Sequence, residues 1–160
     1  PEQTLFFAIP GERNKGHKYI KDCLAKGVCN FIISDISSIS NIKVKANIIL
    51  VKNVVDALQA VAKFHREKFD LPVIGITGSN GKTIVKEWLT QLLENDFAIV
   101  RSPKSYNSQV GVPLSVISIN DKHNLGIFEA GISQPGEMQH SPLGLKQVVK
   151  SGFSKRGGVR

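Results

Sequence analysis

The run Val73-Ile-Gly-Ile-Thr-Gly-Ser-Asn-Gly-Lys-Thr-Ile-Val-Lys-Glu-Trp-Leu89 constrains this chain more than any other feature. An apolar segment carrying Ile74 and Ile76 passes into a glycine-rich turn, and an amphipathic pattern begins at Lys82. Strand, turn and helix in that order make an anion cradle, because a turn without bulky side chains lets backbone N–H groups point inward while the helix N-terminus favours negative charge. Gly78, Ser79, Asn80 and Gly81 are the expected cradle for ATP. Lys82 is expected to reach the outer phosphates and the Thr83 hydroxyl to ligate Mg²⁺. The strict pattern G-x-x-x-x-G-K-[ST] is not met, since the fifth residue before Gly81 is Ile76 and the nearby glycines are Gly75 and Gly78. The turn reads as a variant phosphate loop; a glycine-rich β-to-α turn with a surface lysine is the bland alternative.

The surrounding pattern predicts an α/β chain. Leu5–Ile9, Val28–Ser34 and Ala46–Val51 read as strands, with a helix over 17–26 that Gly27 caps and a second helix that Asn53 starts, its apolar face being Val54, Val55, Leu58, Val61 and Ala62. Leu71-Pro72 stops that helix. Beyond it, Ile84, Val85, Trp88, Leu89, Leu92 and Leu93 form a helical stripe and Phe97–Val100 a further strand, so a parallel βαβ unit is expected. The expected organisation is a small α/β domain over residues 1–70, part of a mostly parallel phosphate-loop sheet with flanking helices over 71–140, and a basic tail without a strand pattern over 141–160.

A nucleotide-bound Mg²⁺ needs a carboxylate at the carboxyl end of a neighbouring strand, where side chains project into the crevice. Leu125-Gly-Ile-Phe-Glu-Ala-Gly131 supplies Glu129 at that place, read as a metal-linked carboxylate against the alternative of a satisfied strand-end acid. The polar stretch 101–113, with a proline near each end, is either a substrate contact or a plain surface connection. His17, His65, His123 and His140 show no ligand spacing on one element and read as surface or hydrogen-bonded histidines.

Charge excludes less than it first suggests. The total of +8 includes five basic residues and no acid in 141–160; without those five, residues 1–140 carry +3, which argues against nucleic acid as a partner. No apolar run is long enough for membrane insertion and no signal-peptide layout opens the chain, so the cytoplasm is the default location. Cys23 and Cys29 suggest buried free thiols rather than a zinc site or a disulfide.

Three motifs in this order, Thr77-Gly-Ser-Asn-Gly-Lys-Thr83, Tyr106-Asn-Ser-Gln-Val-Gly-Val-Pro113 and Phe128-Glu-Ala-Gly131, resemble the central domain of the Mur ligases. The upstream run from Leu5 to Tyr19 is similar to their uridine-nucleotide domain, and Arg101-Ser-Pro-Lys-Ser-Tyr-Asn-Ser-Gln109 resembles a Bacteroidetes form that can be fused to an alanine racemase. The resemblance implies an ATP-dependent amide ligase of peptidoglycan precursor synthesis, acting through an acyl phosphate on UDP-N-acetylmuramoyl-tripeptide and D-alanyl-D-alanine. It assigns Lys82 and Glu129 as catalytic, Thr83 and Glu129 as metal-linked, and Asn107, Ser108, Gly16 and His17 as substrate contacts. Lys15 departs from the family pattern, which commonly has aspartate there.

In this family a strand and loop bearing Asn and His, a carbamylated lysine and a further domain follow the Phe-Glu-Ala-Gly segment. Residues 132–160 do not carry them, so a shift of reading frame or a truncation near 140, and a clipped N-terminus, are expected, with little ligase activity in the 160 residues alone. The competing readings are an ATP-binding module without catalysis, another Mur or folylpolyglutamate-synthase-like ligase and, from a different class, a nucleic-acid binder using the basic tail.

Overall fold

The computed structural model describes residues 1–11, 15–40 and 45–131, and the backbone of 147–150. The chain divides into two compact units, Pro1–Leu58 and Gln59–Arg160. The division falls within one helix, α2 (Val54–Arg66).

The first unit is a three-stranded parallel sheet of β1 (Leu5–Phe7), β2 (Asn30–Ile33) and β3 (Asn47–Leu50), in the order β1-β2-β3. A 3-10 turn over Gly16–Tyr19 leads into α1 (Ile20–Ala25), which together replace the single helix expected over 17–26. Its stop is legible, because Gly27 takes φ 83°, a conformation that costs glycine no Cβ clash. Ala8, Ile20, Phe31 and Ile33 form the buried centre, and Phe6 packs edge-on against Phe31 at 5.9 Å between ring centroids. Cys23 and Cys29 are free thiols, half-buried rather than buried. Asn53 Oδ1 accepts from the Val55 N–H at 2.8 Å and so caps α2 (Val54–Arg66) as its position predicts.

The second unit is a parallel sheet of β4 (Val73–Thr77), β5 (Ile99–Arg101), β6 (Leu125–Glu129) and β7 (Gln147–Lys150), in the order β5-β6-β4-β7. Helix α3 (Lys82–Leu93) joins β4 to β5, but β6 lies between those two strands. Residues on the strands alternate in face. Ile76, Leu125 and Ile127 pack with Val85, Leu89 and Leu93 of α3. Val73, Val100, Phe128 and Ala130 pack on the other side with Ala62 from the later half of α2 and with Val112 and Val116 of α4 (Gly111–Ile117). A parallel sheet buried on both faces explains why β6 reads as one apolar run.

Three further sequence expectations change. The stripe foreseen on α3 is only half right, because Ile84, Trp88 and Leu92 are 57%, 64% and 74% exposed while Lys86 and Thr90 are buried. At 100° per residue, the buried face lies roughly 80° around the axis from the expected one. Pro113 does not close a loop but sits third in α4, where a helix has no use for its missing N–H. Gln147–Lys150, inside the segment expected to lack strand character, pairs in parallel with Ile74–Thr77 of β4. Four residues are too few to show a period, and β propensity in so short a run depends on the strand it pairs with. The remainder of 132–160, including His140, lies outside the described residues.

Candidate functional site

The turn after β4 has the backbone shape that a phosphate cradle requires. Gly78 and Gly81 have φ 135° and 80°, and a Cβ at Gly81 would meet no atom within 4 Å, so it is the backbone angle and not lack of space that calls for glycine there. Gly81 precedes α3 directly, and Ser79 and Asn80 are exposed at the tip between the two glycines. Lys82 folds back over the turn and its Nζ donates to the Gly78 carbonyl at 2.6 Å. An anion entering the turn must exchange that contact for its own.

Thr83 and Glu129 come together although 46 residues separate them. The Thr83 hydroxyl donates to Glu129 Oε2 at 3.2 Å. Register accounts for it: β6 lies beside β4 with Glu129 level with Ile76, and the Ala130 N–H donates to the Ile76 carbonyl at 2.9 Å. Glu129 is fully buried, its N–H donates to Ser102 Oγ at 3.0 Å, and its Oε1 faces Lys86 Nζ at 3.0 Å without receiving an aligned hydrogen bond. Glu129 Oε2, a buried carboxylate oxygen beside the Thr83 hydroxyl and turned away from Lys86, fits a hard cation such as Mg²⁺, which takes one or two protein oxygens and completes its shell from phosphates and water. Among the described residues no cluster of three or more His, Cys, Asp or Glu forms an all-protein cage.

Lys86 is the residue that sequence reasoning missed. Its ammonium, with no exposed surface, lies 3.0 Å from Glu129 Oε1 and 3.3 Å from Glu87 Oε1. It also donates to the carbonyl of Ser102 at 2.9 Å and to that of Lys104. Arg101 pairs with Glu87 from the other side. Partial burial pushes the Glu87 carboxyl up, but hydrogen bonds and charge from Lys86 and Arg101 outweigh it and hold the carboxyl below its ordinary range. The available signal was positional, since Lys86 falls four residues before Thr90 on the arc of Val85, Leu89 and Leu93, yet a lysine there ordinarily marks a solvent face.

The Asn107 carbonyl accepts from the Gly131 N–H at 2.8 Å, and a Cβ on Gly131 would stand 2.4 Å from that same oxygen, so the loop after β5 is seated against the end of β6. Ser108 Oγ accepts from the Gly111 N–H at 3.0 Å, which engages that hydroxyl at the start of α4. Gly16 and His17 belong to the first unit. A Cβ on Gly16 would be 2.6 Å from Ile9 backbone, and His17 Nε2 accepts from the Ser34 N–H at 3.2 Å, which leaves the ring proton on Nδ1. His65 and His123 are hydrogen-bonded to the Ile119 carbonyl and the Asn120 N–H, as expected of structural histidines.

Residues 76–148 match the family described as the Mur ligase middle domain. Over 146 residues the chain is 38% identical to the UDP-N-acetylmuramoyl-tripeptide--D-alanyl-D-alanine ligase of Rickettsia prowazekii, covering 91% of this chain and 31% of the relative. The ligase of the same name from Bacillus subtilis is 30% identical over 137 residues, covering 86% and 30%. Among solved structures, the MurF ligase of Thermotoga maritima in complex with ADP superposes with a TM-score of 0.75 at 32% identity, covering 87% of this chain and 31% of that one. MurF from Acinetobacter baumannii gives a TM-score of 0.76 at 27% identity, with 85% and 29% covered. The chain thus spans about a third of the length of the relatives it matches.

Proposed function

This chain belongs to the Mur ligase family, and from that premise we propose that it serves ATP-dependent joining of D-alanyl-D-alanine to UDP-N-acetylmuramoyl-tripeptide in peptidoglycan precursor synthesis. The observation that carries the reading is the meeting of Thr83 Oγ1 and Glu129 Oε2 at 3.2 Å beside the glycine turn. A phosphate cradle and a buried carboxylate on adjacent strand ends are what phosphoryl transfer asks of a protein, since its main task is to place and neutralise charge.

In this reading a carboxylate oxygen of the muramoyl peptide attacks the γ-phosphorus of ATP, the bond to the bridging oxygen breaks, and ADP departs with that electron pair. The amine of D-alanyl-D-alanine then adds to the acyl carbon and loses a proton, and phosphate leaves with the electrons of the C–O bond. Backbone N–H groups of Gly78, Ser79, Asn80 and Gly81 cradle the nucleotide phosphates. Lys82 exchanges the Gly78 carbonyl for a transferring phosphoryl oxygen, where its charge offsets what develops in the transition state. Thr83 and Glu129 would hold Mg²⁺, which when bound supplies positive charge at the phosphate oxygens. Asn107 and Ser108, on the loop after β5, and Gly16 and His17, in a uridine-nucleotide domain over residues 1–70, would contact the muramoyl substrate. With Nε2 engaged by Ser34, His17 has Nδ1–H to offer that ligand.

Calorimetric titration of the 160-residue chain with a non-hydrolysable ATP analogue, which keeps the γ-phosphate, and Mg²⁺ tests the nucleotide site. Lys82→Ala is expected to weaken binding about 10- to 100-fold, the worth of a charge-assisted contact. Equal affinity in the variant would remove Lys82 from the site.

A further inference from the structure

Lys86 lies outside the glycine turn and its metal-linked pair, and nothing in the reaction above uses it. It nonetheless faces four oxygens at once. One buried ammonium gathers Glu129 Oε1 at 3.0 Å, Glu87 Oε1 at 3.3 Å, the Ser102 carbonyl at 2.9 Å and the Lys104 carbonyl. Three elements therefore converge on it: α3, the end of β6, and the segment that leaves β5.

The segment leaving β5 is unusual in its own right. Lys104 is the only non-glycine residue with positive φ among the described residues, at 49°. An L-residue adopts that conformation at a cost, and it persists where surrounding contacts hold it. The contact here is the Lys104 carbonyl itself, an acceptor for Lys86 Nζ. Further along the same segment, the Asn107 carbonyl accepts from the Gly131 N–H, two residues beyond Glu129. The carboxylate and the segment bearing Asn107 are thus joined twice, once through Lys86 and once through Gly131.

A buried ion pair is a poor way to gain stability, because desolvating two charges offsets most of their attraction. A lysine that pairs with a carboxylate and also takes two backbone carbonyls fixes geometry instead. We infer that Lys86 is a positioning residue: its ammonium orients Glu129 beside Thr83 and clamps Ser102–Lys104, so that the carboxylate and the Asn107 segment are set as one piece. The inference rests on the nucleotide-site reading for its consequence in binding, while the clamp itself needs no nucleotide.

Two measurements on the 160-residue chain test it. In the first, amide hydrogen exchange is followed without nucleotide in Lys86→Met. Should a lone buried Glu129 prevent folding, the double variant Lys86→Met/Glu129→Gln removes both charges and takes its place. Exchange over residues 102–107 is expected to quicken on the order of ten-fold while β4 and β6 stay at wild-type rates, as loss of a charge-assisted bond to one local segment implies. Unchanged exchange, or an equal increase across the sheet, overturns the clamp. In the second, ADP affinity is measured with and without Mg²⁺. Lys86→Met is expected to lose about 10-fold of the gain that Mg²⁺ confers while its metal-free affinity stays within about two-fold, the pattern of a residue that orients a metal ligand, and Lys86→Arg restores part of the gain. An equal loss with and without Mg²⁺ marks a merely structural lysine and overturns the inference. A wild-type chain that binds no ADP defeats the nucleotide-site reading, and the exchange experiment still decides whether Lys86 clamps the segment.

Discussion

Gly131 shows how much one missing side chain can carry. The Phe-Glu-Ala-Gly run places it two residues past Glu129, where its N–H meets the Asn107 carbonyl and its Cα leaves room for that contact. Gly131→Ala would set a methyl 2.4 Å from the oxygen and force the backbone apart. A loss of about 1–3 kcal/mol in chemical denaturation is expected, the usual cost of overpacking. A variant as stable as wild type would mean that the segment yields freely. Glu87 offers a test by pH. Its folded carboxyl lies below the ordinary value of 4.5, so its pairing with Lys86 and Arg101 contributes stability above that pH and loses it as pH falls through the lower folded value. The stability difference between wild type and Glu87→Gln should accordingly be present near neutrality and vanish in acid. The half-exposed side chain keeps the difference small, and a gap that widened in acid would reverse the sign assigned here. At this scale the sequence was legible where a residue's type dictates its backbone, as at Gly78 and Gly81. It marked Lys86 by position alone, because a lysine is buried only when partners from other segments satisfy it.

At the scale of elements, α3 is the instructive case. Six apolar residues in the period of a helix announced the element, but a stripe of that breadth does not fix which part meets the sheet. Val85, Leu89 and Leu93 pack inward, whereas Ile84, Trp88 and Leu92 stay largely exposed. Trp88→Ser is therefore expected to change stability by no more than about 0.5 kcal/mol, and Leu89→Ala to cost about 2 kcal/mol or more, read from paired urea unfolding curves. Similar losses in both would show that Trp88 is covered after all. The ends of elements were legible where capping chemistry marks them. Asn53 starts α2 and Gly27 follows α1, each through a local hydrogen bond or backbone angle. The start of α4 was not, because Pro113 reads as a breaker until its place in the first turn is known.

For the whole molecule, the α/β character and the parallel strands followed from apolar runs alternating with helical periods, which are local properties of the chain. So did the glycine turn and the lysine and threonine after it, because the φ angles of a cradle and the N-terminus of a helix are set within a few neighbouring residues. Strand order was another matter. A βαβ pattern states that β4 and β5 run parallel, yet β6 lies between them and brings Glu129 to Thr83 across 46 residues of chain. The composition of 141–160 likewise concealed β7, since a short strand exists by virtue of the partner it pairs with. The sequence by itself thus determined the elements and the phosphate turn, whose physics is local. Tertiary structure alone decided which strand lies beside the turn, which face of α3 is buried and that Lys86 sits at the junction, because each depends on contacts between segments whose separation along the chain carries no local signal.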